Sequence, residues 1–266
     1  MNRILLIIVI LLSVCTRSYS SDSLQIKRNY INTIGKALDK LGENMPYSAI
    51  DILETLKDTS KLDNNGYNIL MLAYNFAKKD DEAISLYKEW ESNEALVKEA
   101  TLREKISMYS GVAQPLTKVG RYEEAILMIE KYIDGLKRLD DNMGLVLAYA
   151  VMSETYDKFG DVDKAVKFLN YAIRLKMDLL NATNIDILNE KIHDENLADL
   201  YVTASNYARK KGNLDEMDQY LALSCACGNK SAIELMNKLG LKYKKTLKSL
   251  KKGFKIDNQG FYEKSY

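Results

Sequence analysis

The feature that most limits how this chain can fold is an internal repeat. A pattern that starts at Tyr67 returns at Tyr109, at Tyr149 and, more weakly, at Tyr201, with starts 42, 40 and 52 residues apart. On each side of a central turn, most of its positions follow one another at steps of three and four, the period of one face of an α-helix. The repeat therefore predicts helices that recur in one register. The first copy comprises Tyr67, Leu70, Met71, Tyr74, Lys78, Ala83, Tyr87 and Trp90.

Small residues stand at two fixed places in the repeat. Glycine falls in the middle of three copies, at Gly120, Gly160 and Gly212, which predicts a turn between two antiparallel helices. Alanine follows at Ala125 and Ala165, where a small side chain lets neighbouring helices approach. Neither helix pair can bury its apolar face alone, so we expect neighbouring pairs to stack.

The spacing resembles the tetratricopeptide repeat, of an exported bacterial type, over roughly residues 60 to 228. Gly120-Arg121-Tyr122-Glu123-Glu124-Ala125 and Gly160-Asp161-Val162-Asp163-Lys164-Ala165 carry the resemblance most specifically. It implies an all-α fold, a right-handed solenoid of stacked helix pairs. The copies exceed the usual length of about 34 residues, so longer helices or an extra turn should intervene. Pro115 falls inside a predicted helix, where we expect a kink.

The segments that flank the repeats are interpreted as caps. Residues 21–58 are predicted to form an N-terminal helix pair, with Pro46 in the first turn of its second helix. Residues 59–228 hold the repeats. Residues 229–252 are predicted to form a capping helix and a basic segment, and 253–266 a flexible tail.

Composition favours long helices and restricts the chemistry. Gly and Pro together make up only 15 of 266 residues, which argues against a turn-rich β-sandwich. A single histidine, His193, removes any mechanism that needs two imidazoles, and its charged surroundings predict an exposed surface residue. No cofactor motif or metal-site spacing is present, so neither a cofactor nor a metal is predicted.

The first 20 residues have the three-part pattern of a secretory signal peptide. Arg3 supplies a positive start, residues 4–14 are almost wholly apolar, and Ser18 and Ser20 precede the expected cut. The apolar run is shorter than the roughly 20 residues that span a bilayer. We therefore expect export to the periplasm, the envelope or the medium. Residues 12–15 also resemble a lipoprotein box, in which Cys15 would carry lipid, although Val14 departs from its pattern.

Charge is concentrated at the carboxyl end. Residues 241–266 contain eight lysines and two acids, whereas residues 21–240 contain 28 basic and 35 acidic side chains. A basic segment on an acidic body can contact anionic lipid, an acidic partner or its own body, or form a solvated helix end. Nucleic acid is disfavoured by the acidic body and the expected export.

Cys225 and Cys227 remain after the predicted cleavage. A disulfide between them would close a tight, strained ring. We interpret them as small apolar residues at a helix end, with the strained disulfide as the alternative.

The resemblance implies that first helices line a concave groove that binds an extended or helical peptide. Projection from the repeat tyrosines places eleven residues there, and amides among them can pair with a peptide backbone. The alternative is a solvated polar face. The predicted partner-binding residues are Asn68, Leu72, Asn75, Ser107, Ser110, Gln114, Glu154, Asp157, Val202, Asn206 and Arg209.

The function expected from these features is a non-catalytic scaffold for a protein or peptide partner. Two alternatives remain, an envelope-anchored structural lipoprotein and a helical domain that serves a cell-envelope hydrolase. Glu154 and Asp157 stand three residues apart and resemble an acid/base pair, but such pairs are common on helix surfaces, so catalysis is not predicted.

Overall fold

A computed structural model describes residues 21–58 and 62–257. The predicted signal peptide, Cys15 and the tail beyond Asp257 lie outside these residues. The described residues form 14 α-helices and contain no strand. In chain order they are α1 (Ser21–Gly42), α2 (Pro46–Asp58), α3 (Asn64–Ala77), α4 (Asp80–Ser92), α5 (Glu94–Glu99), α6 (Leu102–Lys118), α7 (Tyr122–Arg138), α8 (Asn142–Phe159), α9 (Val162–Leu179), α10 (Asn184–Leu188), α11 (Glu195–Lys210), α12 (Leu214–Ala226), α13 (Lys230–Lys238) and α14 (Tyr243–Asp257).

The helices divide into two compact units at Gly135 and Leu136. In unit 1, α1 pairs with α2 and α3 pairs with α4, and α6 packs against both α3 and α4. In unit 2, α8 pairs with α9 and α11 pairs with α12, while α9 also packs against α11. The expected helix pairs are therefore present in each unit.

Two short helices lengthen two of the three repeat intervals, and in the third, between Tyr109 and Tyr149, the copy has two helices of 17 residues each, α6 and α7. α5 falls between the copies that start at Tyr67 and Tyr109, and α10 falls between those that start at Tyr149 and Tyr201. Asn64 holds α5 in place, because its Nδ2 donates to the Leu96 carbonyl oxygen at 2.9 Å while its Oδ1 accepts from Trp90 Nε1 at 2.7 Å. The prediction that extra structure intervenes is confirmed.

The small residues of the repeat occupy the places that the pattern predicts. Ala125 and Ala165 are completely buried, as is Ala83 of the first copy. The turn glycines all adopt positive φ, at 82° for Gly120, 94° for Gly160 and 76° for Gly212. Glycine tolerates this left-handed conformation because it has no Cβ atom.

The carboxyl end forms two further helices, α13 and α14, which both pack against α12. α14 packs against α12 and α10 of unit 2. It continues to Asp257, past residue 253, where the predicted tail begins. A single glycine, Gly253, costs only about 1 kcal/mol in a helix interior and does not end the helix.

Candidate functional site

Two of the predicted binding residues in unit 1 lie within the packing. Asn68 is buried, and its Oδ1 has no hydrogen-bond partner among the described residues. Asn75 is half-buried and donates from Nδ2 to the carbonyl oxygen of Gly111 in α6 at 2.9 Å. Neither amide is fully exposed, since α3 packs against α6 and Asn75 bonds to it, so the partner-binding role of both stays a prediction.

Close packing of α3 on α6 has an identifiable cause. A Cβ atom added at Gly111 would lie 2.4 Å from Cγ of Met71, so only glycine leaves room for that side chain. Pro115 stands four residues after Gly111 and has no N–H to donate to its carbonyl group. The Asn75 side chain supplies the missing donor.

The remaining predicted positions of unit 1 stay on the surface. Ser107 and Gln114 are exposed, and Leu72 and Ser110 are half-buried. Ser110 donates from Oγ to the Ser107 carbonyl oxygen at 3.1 Å, so its hydroxyl is engaged within α6. Gln114 is thus the predicted amide of this unit that is free to meet a partner.

In unit 2 the two carboxylates of α8 are each paired with a lysine. Glu154 lies 2.8 Å from Nζ of Lys158, one turn along the same helix. Asp157 accepts from Lys210 of α11 through both oxygens, each at 2.6 Å. Each of the two carboxylates that resemble an acid/base pair therefore forms an ion pair with a lysine.

The predicted residues of α11 form the most open part of the site. Asn206 and Arg209 are exposed, and Val202 is half-buried. Arg209 forms no ion pair with any described residue. An amide and a guanidinium group are therefore both free to donate hydrogen bonds from this helix.

Two exposed apolar side chains of α8 were not among the predicted residues. Met143 is 52% exposed and Leu147 is 57% exposed, one turn apart on α8. Leu147 stands two residues before Tyr149, the same offset at which Ser107 stands before Tyr109. Applying that offset to every copy finds Leu147. We call Leu147, Glu154, Asp157, Val202, Asn206 and Arg209 the α8–α11 face.

Comparison with known proteins shows the fold. No protein-family model and no curated protein matches the sequence. The TPR-like repeats of a protein described as a kinesin light chain from Podosopora anserina match with a TM-score of 0.60 and 14% identity, covering 76% of this chain and 96% of that one. MamA matches with a TM-score of 0.54 and 16% identity, covering 74% and 96%. The apo form of RapI matches with a TM-score of 0.60 and 14% identity, covering 76% and 71%.

The fold is TPR-like. The stacked helix pairs agree with those of the matched structures, as the repeat spacing predicts.

Beneath the α8–α11 face, the TPR-like contacts hold three helices together. The Ser153 hydroxyl of α8 donates to the Ala165 carbonyl oxygen of α9 at 2.8 Å, and Tyr207 Oη of α11 lies 3.0 Å from the same hydroxyl. Ser153 is completely buried, as expected of the small residue at this repeat position. Burial raises the pKa of Tyr207 to about 12, so its hydroxyl stays protonated at neutral pH.

The other candidate groups of the TPR-like units have ordinary surroundings. His193 is exposed, as predicted. Cys225 and Cys227 are buried free thiols, which confirms the interpretation as small apolar residues and not a disulfide. Within residues 21–58 and 62–257, no three His, Cys, Asp or Glu side chains group into a potential metal site. Across the same residues, every helix is too short or too polar to traverse a bilayer.

Proposed function

We propose that this protein is an exported, non-catalytic TPR-like scaffold that binds a protein or peptide partner through the first helices of its pairs. The observation that carries this proposal is the α8–α11 face. There an apolar side chain, Leu147, lies in the open on a helix whose neighbour presents Asn206 and Arg209, both exposed.

The chemistry of this face suits a polypeptide. Leu147 and Val202 offer apolar contact, which removes water on binding. Asn206 can both donate to and accept from a peptide group, and Arg209 can bind a carboxylate through two hydrogen bonds.

Rigidity supports the same proposal. The Asp157–Lys210 ion pair and the Ser153 hydrogen bonds join α8 to α11 directly. A surface that is held in one geometry loses less entropy when it binds. The α8–α11 face is therefore organised before the partner arrives.

A binding experiment with matched variants tests the proposal. The protein beginning at Ser21 serves as bait for an envelope extract, and captured proteins are purified and titrated against it directly. Leu147→Ser combined with Arg209→Ala should weaken the interaction at least tenfold. The control combines Leu179→Ser with Lys167→Ala, which changes two exposed residues of α9. Equal affinities for the two double variants would exclude the α8–α11 face as the binding surface.

Export and anchoring are proposed from the first 20 residues and have their own test. Mass spectrometry of the mature amino terminus should find Ser21. A diacyl-modified Cys15 would instead support the envelope-anchored lipoprotein. An intact Met1 would exclude cleavage and leave an uncleaved N-terminal anchor as the alternative.

A further inference from the structure

The basic segment forms one side of an amphipathic helix whose apolar side is already occupied. Leu247 and Leu250 of α14 are buried, and α14 packs against α12 and α10. These apolar residues are therefore used within unit 2. The opposite side of α14 is the side that another molecule could contact.

Lysines form a continuous arc on that opposite side. Five lysines from residue 244 to residue 252 project within roughly 120° of one another at 3.6 residues per turn. Four of them are exposed and Lys251 is half-buried. We call this set, which consists of Lys244, Lys245, Lys248, Lys251 and Lys252, the lysine arc.

The acidic body of the protein does not neutralise the lysine arc. Lys244 lies 3.6 Å from Oε1 of Glu190 and is the member of the arc with an ion pair to a described residue. Lys245, Lys248, Lys251 and Lys252 form none with the described residues. The arc therefore keeps most of its positive charge for a partner.

The side chains in the arc indicate which kind of partner fits. Protein interfaces are enriched in arginine and aromatic residues and depleted in lysine. The arc contains lysine alone. A row of flexible ammonium groups matches many mobile negative charges spread over a surface, such as lipid phosphates.

We propose that the lysine arc of α14 binds an anionic lipid surface. Clusters of four to eight basic residues on an amphipathic helix bind acidic membranes, with each lysine contributing favourably. Because Leu247 and Leu250 stay in the core of unit 2, α14 adsorbs to the headgroups and does not insert its apolar side. Adsorption of this kind weakens as salt rises, since the Debye length shortens.

The test is co-sedimentation with vesicles of phosphatidylcholine containing about one third phosphatidylglycerol, a charge density at which basic clusters bind. The wild-type protein should bind these vesicles at low salt, release them at high salt, and ignore vesicles of pure phosphatidylcholine. Lys245→Gln, Lys248→Gln and Lys252→Gln together should lower the partition coefficient by roughly 100-fold. These side chains are exposed, so an unchanged melting temperature should accompany the loss.

The matched control removes the same charge elsewhere. Lys36→Gln, Lys88→Gln and Lys98→Gln change three exposed lysines of unit 1 and should leave vesicle binding within about twofold. Equal losses in the two triple variants would overturn the proposal, because net charge alone would then explain binding. So would retention on heparin without vesicle binding, which would assign the arc to an acidic polymer. The Leu147→Ser, Arg209→Ala variant should bind vesicles normally, so this proposal and the proposed function can fail separately.

Discussion

The side-chain amide of Asn75 donates a 2.9 Å hydrogen bond to the carbonyl oxygen of Gly111, the acceptor that Pro115 leaves without its helical donor. A residue predicted to meet a partner thus completes the hydrogen bonding of a neighbouring helix. Pro115 remains within one continuous helix, Leu102–Lys118. The Oδ1 atom of Asn75 is buried and its Nδ2 atom donates to Gly111, so this amide is engaged within unit 1.

This relationship predicts a coupling between Asn75 and Pro115. Asn75→Ala should lower the free energy of unfolding by about 1 kcal/mol, because the Gly111 carbonyl loses its donor. The cost stays near that value since the change also removes the unpartnered Oδ1 of Asn75. In a Pro115→Ala background, where residue 115 again has an N–H, Asn75→Ala should cost clearly less. Denaturant unfolding of the four proteins measures the coupling, and strictly additive effects would contradict it.

The first repeat has a lysine where the other three have glycine. Lys78 adopts φ 58° and ψ 34°, in the left-handed region that disfavours side chains with a Cβ atom. Lys78→Gly should therefore raise the free energy of unfolding by about 1 kcal/mol. Lys78→Ala is the matched control, because it removes the long side chain and keeps the strained Cβ. A gain in both variants would attribute the effect to the lysine charge and not to the backbone.

The buried alanines test the repeat register. Ala165→Leu should overpack the contact between α8 and α9 and cost about 1 to 3 kcal/mol. Ala95→Leu, on an exposed site of α5, provides the control and should change stability by less than about 0.5 kcal/mol. Melting temperatures that do not differ between the variants would contradict the proposed register.

Lys176 and Asp194 form an ion pair in unit 2 in which the lysine is almost fully buried. Nζ of Lys176 lies 3.0 Å from Oδ2 of Asp194, whose other oxygen caps α11 by accepting from the Leu197 N–H. Asp194→Ala should cost about 3 kcal/mol, since it leaves a buried charge unpaired. Lys176→Met should cost much less, because it removes the charge and keeps the cap. Thermal unfolding should rank the variants in that order, and the reverse order would contradict the assignment of the main cost to an unpaired Lys176.

The two thiols predict a dependence on alkaline pH. Burial raises the pKa of Cys225 to about 11 and that of Cys227 to about 12. Their unfolded-state pKa values are lower, so the stability that they contribute is complete below about pH 8.5 and declines as the pH rises towards these folded values. At pH 8 iodoacetamide should label both residues only after denaturation, as peptide mapping can follow. Rapid labelling of the folded protein would contradict the burial.

The lysine arc lies on α14, a helix that crosses the predicted boundary between the basic segment and the tail. Residues 229–252 were interpreted as cap and basic segment, and the structure shows that the basic part is an amphipathic helix docked through Leu247 and Leu250. The charge imbalance is visible in the composition. Composition does not show whether this segment is a solvated helix end, contacts the body or presents an open cationic surface. The packing of α14 distinguishes these alternatives.

The candidate site was predictable at positions where solvent exposure depends only on the residue's place on its own helix. Gln114, Asn206 and Arg209 are exposed as projected from the repeat tyrosines. Asn68 and Asn75 depart from the projection because their burial depends on how closely α6 approaches α3. Gly111 leaves room for that approach, and it lies more than 35 residues further along the chain.

The sequence by itself determined the helices, their pairing and their turns, because helical hydrogen bonds and the conformational freedom of glycine act over a few residues. It also specified which alanines lie at close contacts, since the register recurs. The tertiary structure alone decided which polar side chains remain exposed, which lysines have no counter-ion within the part of the chain that the structure describes, and where α5 and α10 fit. These properties depend on distances between residues far apart in the chain, and no local pattern encodes them.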